Sequence, residues 1–254
     1  MLATRVIPCL LLKGAGLVKT VRFKDPKYVG DPINAVRIFN DKEVDELIFL
    51  DITASREGKG PAFSTIEDIA SECFMPVAYG GGITTIDEAQ RIVSMGIEKI
   101  VLNTAALRAP ELVTAIADRI GASSTVVAVD VTRDLFGRYR VYESARQKST
   151  SIDPVAHARQ MVSAGAGEIL INDVSRDGTG EGFDLALIGS VSRAVDVPVI
   201  ACGGAGRLED LRQASDAGAS AVAAGSLFVY MGRHRAVMIN YPPYSALQEL
   251  FQHG

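Results

Sequence analysis

Tryptophan is absent from this 254-residue sequence, and histidine and cysteine occur only three times each. The cysteines, Cys9, Cys73 and Cys202, are odd in number, far apart and without Cys-x-x-Cys spacing. That excludes a disulfide framework, argues against a metal site and fits a reducing cytoplasmic location. No run of 18 apolar residues occurs, so no membrane-spanning helix is expected. The opening MLATRVIPCLLLKGAG is broken by Pro8 and has no small-residue cleavage pattern, so it reads as a first strand and not as a signal peptide. Basic charge is not in excess: the formal net charge is −4, which argues against nucleic acid or an anionic membrane as partner. A GxxxxGK[ST] loop and an SGG-type pyrophosphatase loop are both missing, so the chain has no nucleotide-activating loop of its own.

Apolar runs rich in β-branched residues are plentiful, at 5–11, 46–51, 75–79, 99–103, 125–131, 168–174, 197–202 and 220–225. Helix-like stretches such as STIEDIASECF, TTIDEAQRIVSMG and RLEDLRQASDAG lie between them. Capping boxes are expected at Ser64 with Glu67 and at Thr85 with Glu88. Continuous apolar strands alternating with helices imply a parallel sheet covered on both faces. Eight such units in a chain of this length predict one (β/α)8 TIM barrel over residues 1–254. The other reading, two small domains, has no linker composition to support it. The sequence also repeats at an offset of 122 residues: DELIFLDIT (45–53) matches GEILINDVS (167–175), and MPVAYGGG (75–82) matches VPVIACGG (197–204). An internal duplication of half-barrels, about 1–122 and 123–254, is the economical account.

Each half carries a glycine-rich strand end and then a second small-residue strand end. Gly80, Gly81, Gly82, Asn103 and Thr104 form the first set; Gly203, Gly204, Ala205, Gly206, Gly225 and Ser226 form the second. Backbone N–H groups in such loops can cradle phosphate, and the turn RDGTGEG adds Asp177, Gly178 and Thr179. Alternatively, these glycines only make tight turns. At the strand starts stand Arg5, Glu46, Lys99 and Glu168, two charges of each sign. Such a ring can plug the bottom of a barrel with salt bridges or serve as a gate into its interior.

The segments RVIPCL, DELIFLDITAS, GGGI, NTAA, VVAVD, GAGEIL, RDGT and GGAG resemble the cyclase subunit of imidazole glycerol phosphate synthase, over residues 1 to about 228. The resemblance implies a phosphorylated small-molecule substrate at the strand ends, no cofactor, and a glutaminase docked on the barrel bottom. It also implies that ammonia enters through a gate of Arg5, Glu46, Lys99 and Glu168. Lys19, in the first loop, and Asp51 match members of the family's substrate site. Of the family's two acid–base aspartates, Asp130 matches the second. The first falls at Leu11, which cannot move a proton.

Other departures accompany Leu11. Asn172-Asp173 replaces a Thr-Ser pair, making Asp173 a candidate extra carboxylate. Tyr79 precedes the triple glycine, Cys202 stands for a serine, and LLLKGAGLVKTVRFKDPKYVGDPINAV replaces the usual first loop. Arg233, His234 and Arg235, near the end of the chain, read as a surface turn or as a protein contact. These departures resemble a paralogue branch associated with surface-polysaccharide gene clusters. They imply ammonia delivery to an ATP-dependent N-acetyl sugar amidotransferase, forming an amidine. The other expectation is the cyclisation itself, in histidine biosynthesis.

Overall fold

The computed structural model describes residues 4–252. Eight parallel strands form its centre: β1 (Arg5–Lys13), β2 (Leu47–Asp51), β3 (Val77–Gly80), β4 (Lys99–Leu102), β5 (Thr125–Arg133), β6 (Glu168–Asp173), β7 (Val199–Cys202) and β8 (Ala221–Ala224). Each pairs with the next, and β8 pairs with β1 through Arg5↔Ala221 to Pro8↔Ala224, so the sheet closes into a TIM-type barrel. Around it run α1 (Pro32–Asp41), α2 (Phe63–Glu72), α3 (Ile86–Ser94), α4 (Pro110–Ile120), α5 (Pro154–Ser163), α6 (Leu185–Ser192), α7 (Leu208–Asp216) and α8 (Tyr244–Gln252). None is long and apolar enough to cross a membrane.

Strand alternation sorts the apolar residues into two cores. Ile7, Cys9, Ile48, Ala78, Val126, Leu170 and Ile200 pack inside the barrel. Val6, Leu10, Leu12, Phe49, Tyr79 and Val127 face outward against the helices. The alternation fixes the direction of the three leucines in β1: Leu10 and Leu12 lie under the helices, and Leu11 faces the interior. Tyr79 is likewise a packing residue, fully buried, with its hydroxyl accepting from the Ala62 N–H at 3.4 Å.

Local chemistry starts the helices where short polar side chains precede them. Asp31 and Asp153 accept from the N–H groups of Asn34 and Ala156, with Pro32 and Pro154 next in chain, where a missing N–H costs nothing. Thr85 and Glu88 form the expected capping box. The box expected at Ser64 and Glu67 does not form. The helix begins two residues earlier, after Ala62, so Ser64 sits within the first turn and cannot act as cap.

Two loops depart from plain βα turns. After β1 the chain folds into an antiparallel hairpin of strands Gly16–Val21 and Lys24–Gly30, continuing the β1 ladder through Leu11↔Val18 and Leu12↔Leu17. After β5 it does the same with Tyr139–Glu143, through Val131↔Val141. Both hairpins stand over the carboxyl ends of the strands. The segment around Arg233, His234 and Arg235 forms a third, small hairpin, in which Tyr230–Met231 pairs with Ala236–Val237.

Candidate active site

The pocket at the strand ends brings together Leu11, Lys19, Asp51, Gly81, Gly82, Asn103, Thr104, Asp130, Asp177, Gly225 and Ser226. Its floor is the inner apolar core, where Cys9, Leu50, Val101, Ala128, Leu170 and Cys202 are exposed to it. Asp130, on β5, is 7% exposed. It accepts hydrogen bonds from the Asn103 Nδ2 at 3.1 Å, the Asn172 Nδ2 at 3.4 Å and the Ser144 hydroxyl. Burial pushes its carboxyl up to about 6, against the pull of those donors. That value puts Asp130 within range of taking and giving a proton near neutral pH.

Lys19 reaches the pocket because the first hairpin folds back over the barrel top. Its ammonium donates to the Cys9 carbonyl at 2.7 Å. Gly225 makes room for it, since a Cβ there would collide with the Lys19 Nζ. Asp177 accepts from the Thr20 hydroxyl at 3.2 Å. Burial raises its carboxyl, with Lys19 acting in the opposite direction. Cys9 and Cys202 face each other on the floor, and the Cys202 thiol is raised well above its ordinary value by its hydrogen bond to Cys9 and by burial. Phe23, from the first hairpin, and Tyr142, from the second, meet edge to face over the pocket with ring centroids 6.2 Å apart.

Asp173 does not join this group. Asn172 and Asp173 are neighbours on β6, so their side chains leave opposite faces of the sheet. Asn172 turns inward to Asp130, while Asp173 accepts from the Ser175 N–H at 2.8 Å and hydroxyl at 2.6 Å and lies 3.7 Å from Arg176 Nε. It anchors the turn after β6 and is no extra acid in the pocket. Gly178, Gly203 and Gly204 also lie outside the pocket lining. A Cβ on Gly203, at φ +86°, would meet Asn172 Oδ1, and one on Gly204 would meet the Gly182 carbonyl. Close chain-to-chain packing therefore accounts for these glycines. The residues missed by sequence reasoning are Ser144, Thr20 and Asn172. The alternating RYRVYE after the DLFG turn was the available signal for the hairpin that carries Ser144.

At the opposite end, the four strand-start charges close a ring. Arg5 pairs with Glu46 and Glu168, and Lys99 lies 3.1 Å from Glu46 and 2.9 Å from Glu168. Glu46 is 2% exposed, its carboxyl is raised by burial, and its Oε1 has no hydrogen-bond partner. His157 is buried on α5 and is not part of the pocket lining. His253, the third histidine, is outside the described residues. No group of three or more His, Cys, Asp or Glu side chains suited to a metal occurs among the described residues.

Fold and site together define an α/β barrel with an acid-bearing pocket at its strand ends and a charged ring at its strand starts. The chain belongs to the histidine biosynthesis protein family, whose model matches residues 5–235, and within it to the HisF-type subunits of imidazole glycerol phosphate synthase. It is 52% identical over 248 residues to a Pseudomonas aeruginosa protein named, provisionally, imidazole glycerol phosphate synthase subunit hisF2, covering 97% of this chain and 99% of that protein. A Leptospira interrogans protein with an equally provisional HisF name is 47% identical over 253 residues, 99% of this chain and 100% of that protein. The imidazole glycerol phosphate synthase subunit HisF of Alkaliphilus metalliredigens is 40% identical over 231 residues, 91% of this chain and 92% of that protein.

Proposed function

We propose that this chain is the barrel subunit of a cytoplasmic glutamine amidotransferase, and that it passes ammonia to the amidation of an N-acetyl sugar nucleotide for a surface polysaccharide. In this reading a glutaminase docks on the strand-start face, and ammonia crosses the ring of Arg5, Glu46, Lys99 and Glu168. The unpartnered Glu46 Oε1 supplies an acceptor for an N–H at that entrance. Beyond it the apolar interior favours neutral ammonia over ammonium, because an isolated charge is costly to bury. The acetamide oxygen must be activated before ammonia can displace it, and this chain has no loop for that step. An ATP-dependent amidotransferase would therefore act on the same sugar.

The observation that carries the reading is Leu11. It lines the pocket on β1, across the barrel from Asp130 on β5, at the position where cyclisation needs its second acid–base group. Loss of one such group typically costs about 10²–10⁴-fold. The other reading, cyclisation of a bisphosphate ribonucleotide to imidazole glycerol phosphate, is favoured by one specific feature: Asp177, a second carboxyl group in the pocket that burial also makes harder to ionise.

The test is cyclisation of that ribonucleotide with a high concentration of ammonium salt, so that no glutaminase is required. Wild type is expected to be silent, and Leu11→Asp to gain turnover. Turnover by wild type would overturn the amidation reading in favour of cyclisation. In the assembled complex, Lys99→Met is expected to leave glutamine hydrolysis running while product formation falls. If both fall together, or neither changes, the ring is no gate.

A further inference from the structure

We propose that Arg235, on the hairpin that follows the barrel, is an anion-recognising residue at the second end of the pocket. This rests on the reading of the pocket as a site for a phosphorylated ligand. The Arg235 guanidinium donates to the Gly178 carbonyl at 3.2 Å and to the Ser226 hydroxyl at 3.5 Å, and lies 4.6 Å above the Tyr230 ring centroid. Ser226 lines the pocket. The side chain is therefore drawn back over the rim although the hairpin itself is exposed. No carboxylate pairs with Arg235 among the described residues. The acids in the adjoining turn are otherwise engaged: Asp177 with Thr20, and Asp173 with Ser175 and Arg176.

The duplication gives this placement its meaning. Gly178 lies 122 positions after Arg56, so the two are counterparts in the repeat. Arg56 lines the pocket at the first end. The second half has glycine at that position, and the guanidinium resting on its carbonyl comes from the C-terminal hairpin. The first end of the pocket thus has an arginine in its lining, and the second has one beside its rim, reached through Ser226, the two supplied by different routes. Charge-assisted contacts to a phosphoryl oxygen are the strong ones, and a planar guanidinium offers two at once.

Inorganic phosphate, titrated into the ¹⁵N-labelled chain, tests this end by end. Wild type is expected to show saturable shifts at the Gly81 and Gly82 amides and, separately, at Gly178 and Ser226. Arg235→Ala and Arg235→Gln should weaken binding at the second end by roughly tenfold or more, the worth of one charge-assisted contact, and leave the first end unchanged. Arg235→Lys should recover part of the loss, and Arg233→Ala should match wild type. If Arg235→Gln binds as wild type does, the side chain merely staples the hairpin and the proposal fails. Shifts confined to the first end in wild type would also overturn it while sparing the phosphate reading of the pocket. Shifts at neither end would overturn both.

Discussion

In the first half-barrel Asp51 accepts from the N–H and hydroxyl of Thr53, both at 2.8 Å; in the second, 122 positions on, Asp173 accepts from the same two groups of Ser175. The correspondence continues outward. Gly82 is pressed against the 59–60 turn and Gly204 against Gly182, while Glu88 and Asp210 each receive the two N–H groups that open their helices. What differs is the chemistry offered to the pocket. Near the end of its first strand one half turns Leu11 into the pocket, and the other turns Asp130 into it. The first end has its glycines in the pocket lining, whereas Gly203 and Gly204 face other backbone. A repeated scaffold has kept the contacts that hold each turn and let the groups that touch a ligand diverge. Residues that repeat are therefore best read as structural, and those that break the repeat as functional.

The largest stability effect should come from a repeated residue. Gly203→Ala adds a Cβ against Asn172 Oδ1 and the Asp173 backbone at φ +86°, and should cost about 2–4 kcal/mol from strain and overpacking. Gly58→Ala, also at positive φ but with open space around it, should cost only about 1 kcal/mol. Urea unfolding of both variants checks the ordering. Equal costs would mean that backbone conformation, and not close packing, is what these turns require.

Next comes the residue that breaks the repeat. The Asp130 carboxyl is raised to about 6, above the roughly 3.9 of an unfolded aspartate. The folded chain therefore holds a proton that the unfolded chain has released. Stability from this group is present in full below about pH 4 and is lost as the pH rises through 6, a loss approaching about 3 kcal/mol at neutral pH. Asp177 is shifted in the same direction, so wild type must be compared with Asp130→Asn. The variant should gain on wild type between pH 4 and 7. Unfolding free energies that run parallel over that range would show that Asp130 is not raised.

Much of this was legible in the sequence, for reasons of period and length. Continuous apolar runs of strand length with helical stretches between them leave little choice of fold, and the 122-residue repeat reports the two halves directly. Leu11 was singled out by resemblance to a family position, but whether Leu10 or Leu11 faces inward came from the structure, where β1 alternates without a bulge and Cys9 and Leu11 both reach the pocket. Asp173 misled for the converse reason. A carboxylate at a strand end suggests chemistry, yet the neighbouring Asn172 has the inward position, and Asp51 was the precedent for an anchoring role. The two hairpins over the pocket were missed. Their strands are short and partly exposed, and their order comes from extending the β1 and β5 ladders, which local propensity does not reveal. Arg235 depends on contacts 57 and 9 residues away in the chain, beyond the reach of any motif.

The smallest effect separates the halves at their helix starts. Thr85 caps α3 by accepting from the Glu88 N–H at 3.2 Å, and Glu88 returns bonds to the N–H groups of Thr84 and Thr85. Its counterpart before α7 is Arg207, whose guanidinium has no acceptor to offer an N–H. The second helix start is held from one side only, by Asp210 receiving Gly206 and Arg207 at 2.8 and 2.9 Å. Thr85→Ala should therefore cost about 1 kcal/mol. Arg207→Ala should stay within about 0.5 kcal/mol of wild type, because its nearest approach to Asp210, 3.6 Å, joins a largely exposed side chain to its helix. Arg207→Thr supplies the missing acceptor and should stabilise by up to about 1 kcal/mol. Thermal melts of the three variants decide it. If Arg207→Thr gains nothing, the second turn does not present its N–H to the cap as the first does, and the two halves differ in backbone as well as in side chains.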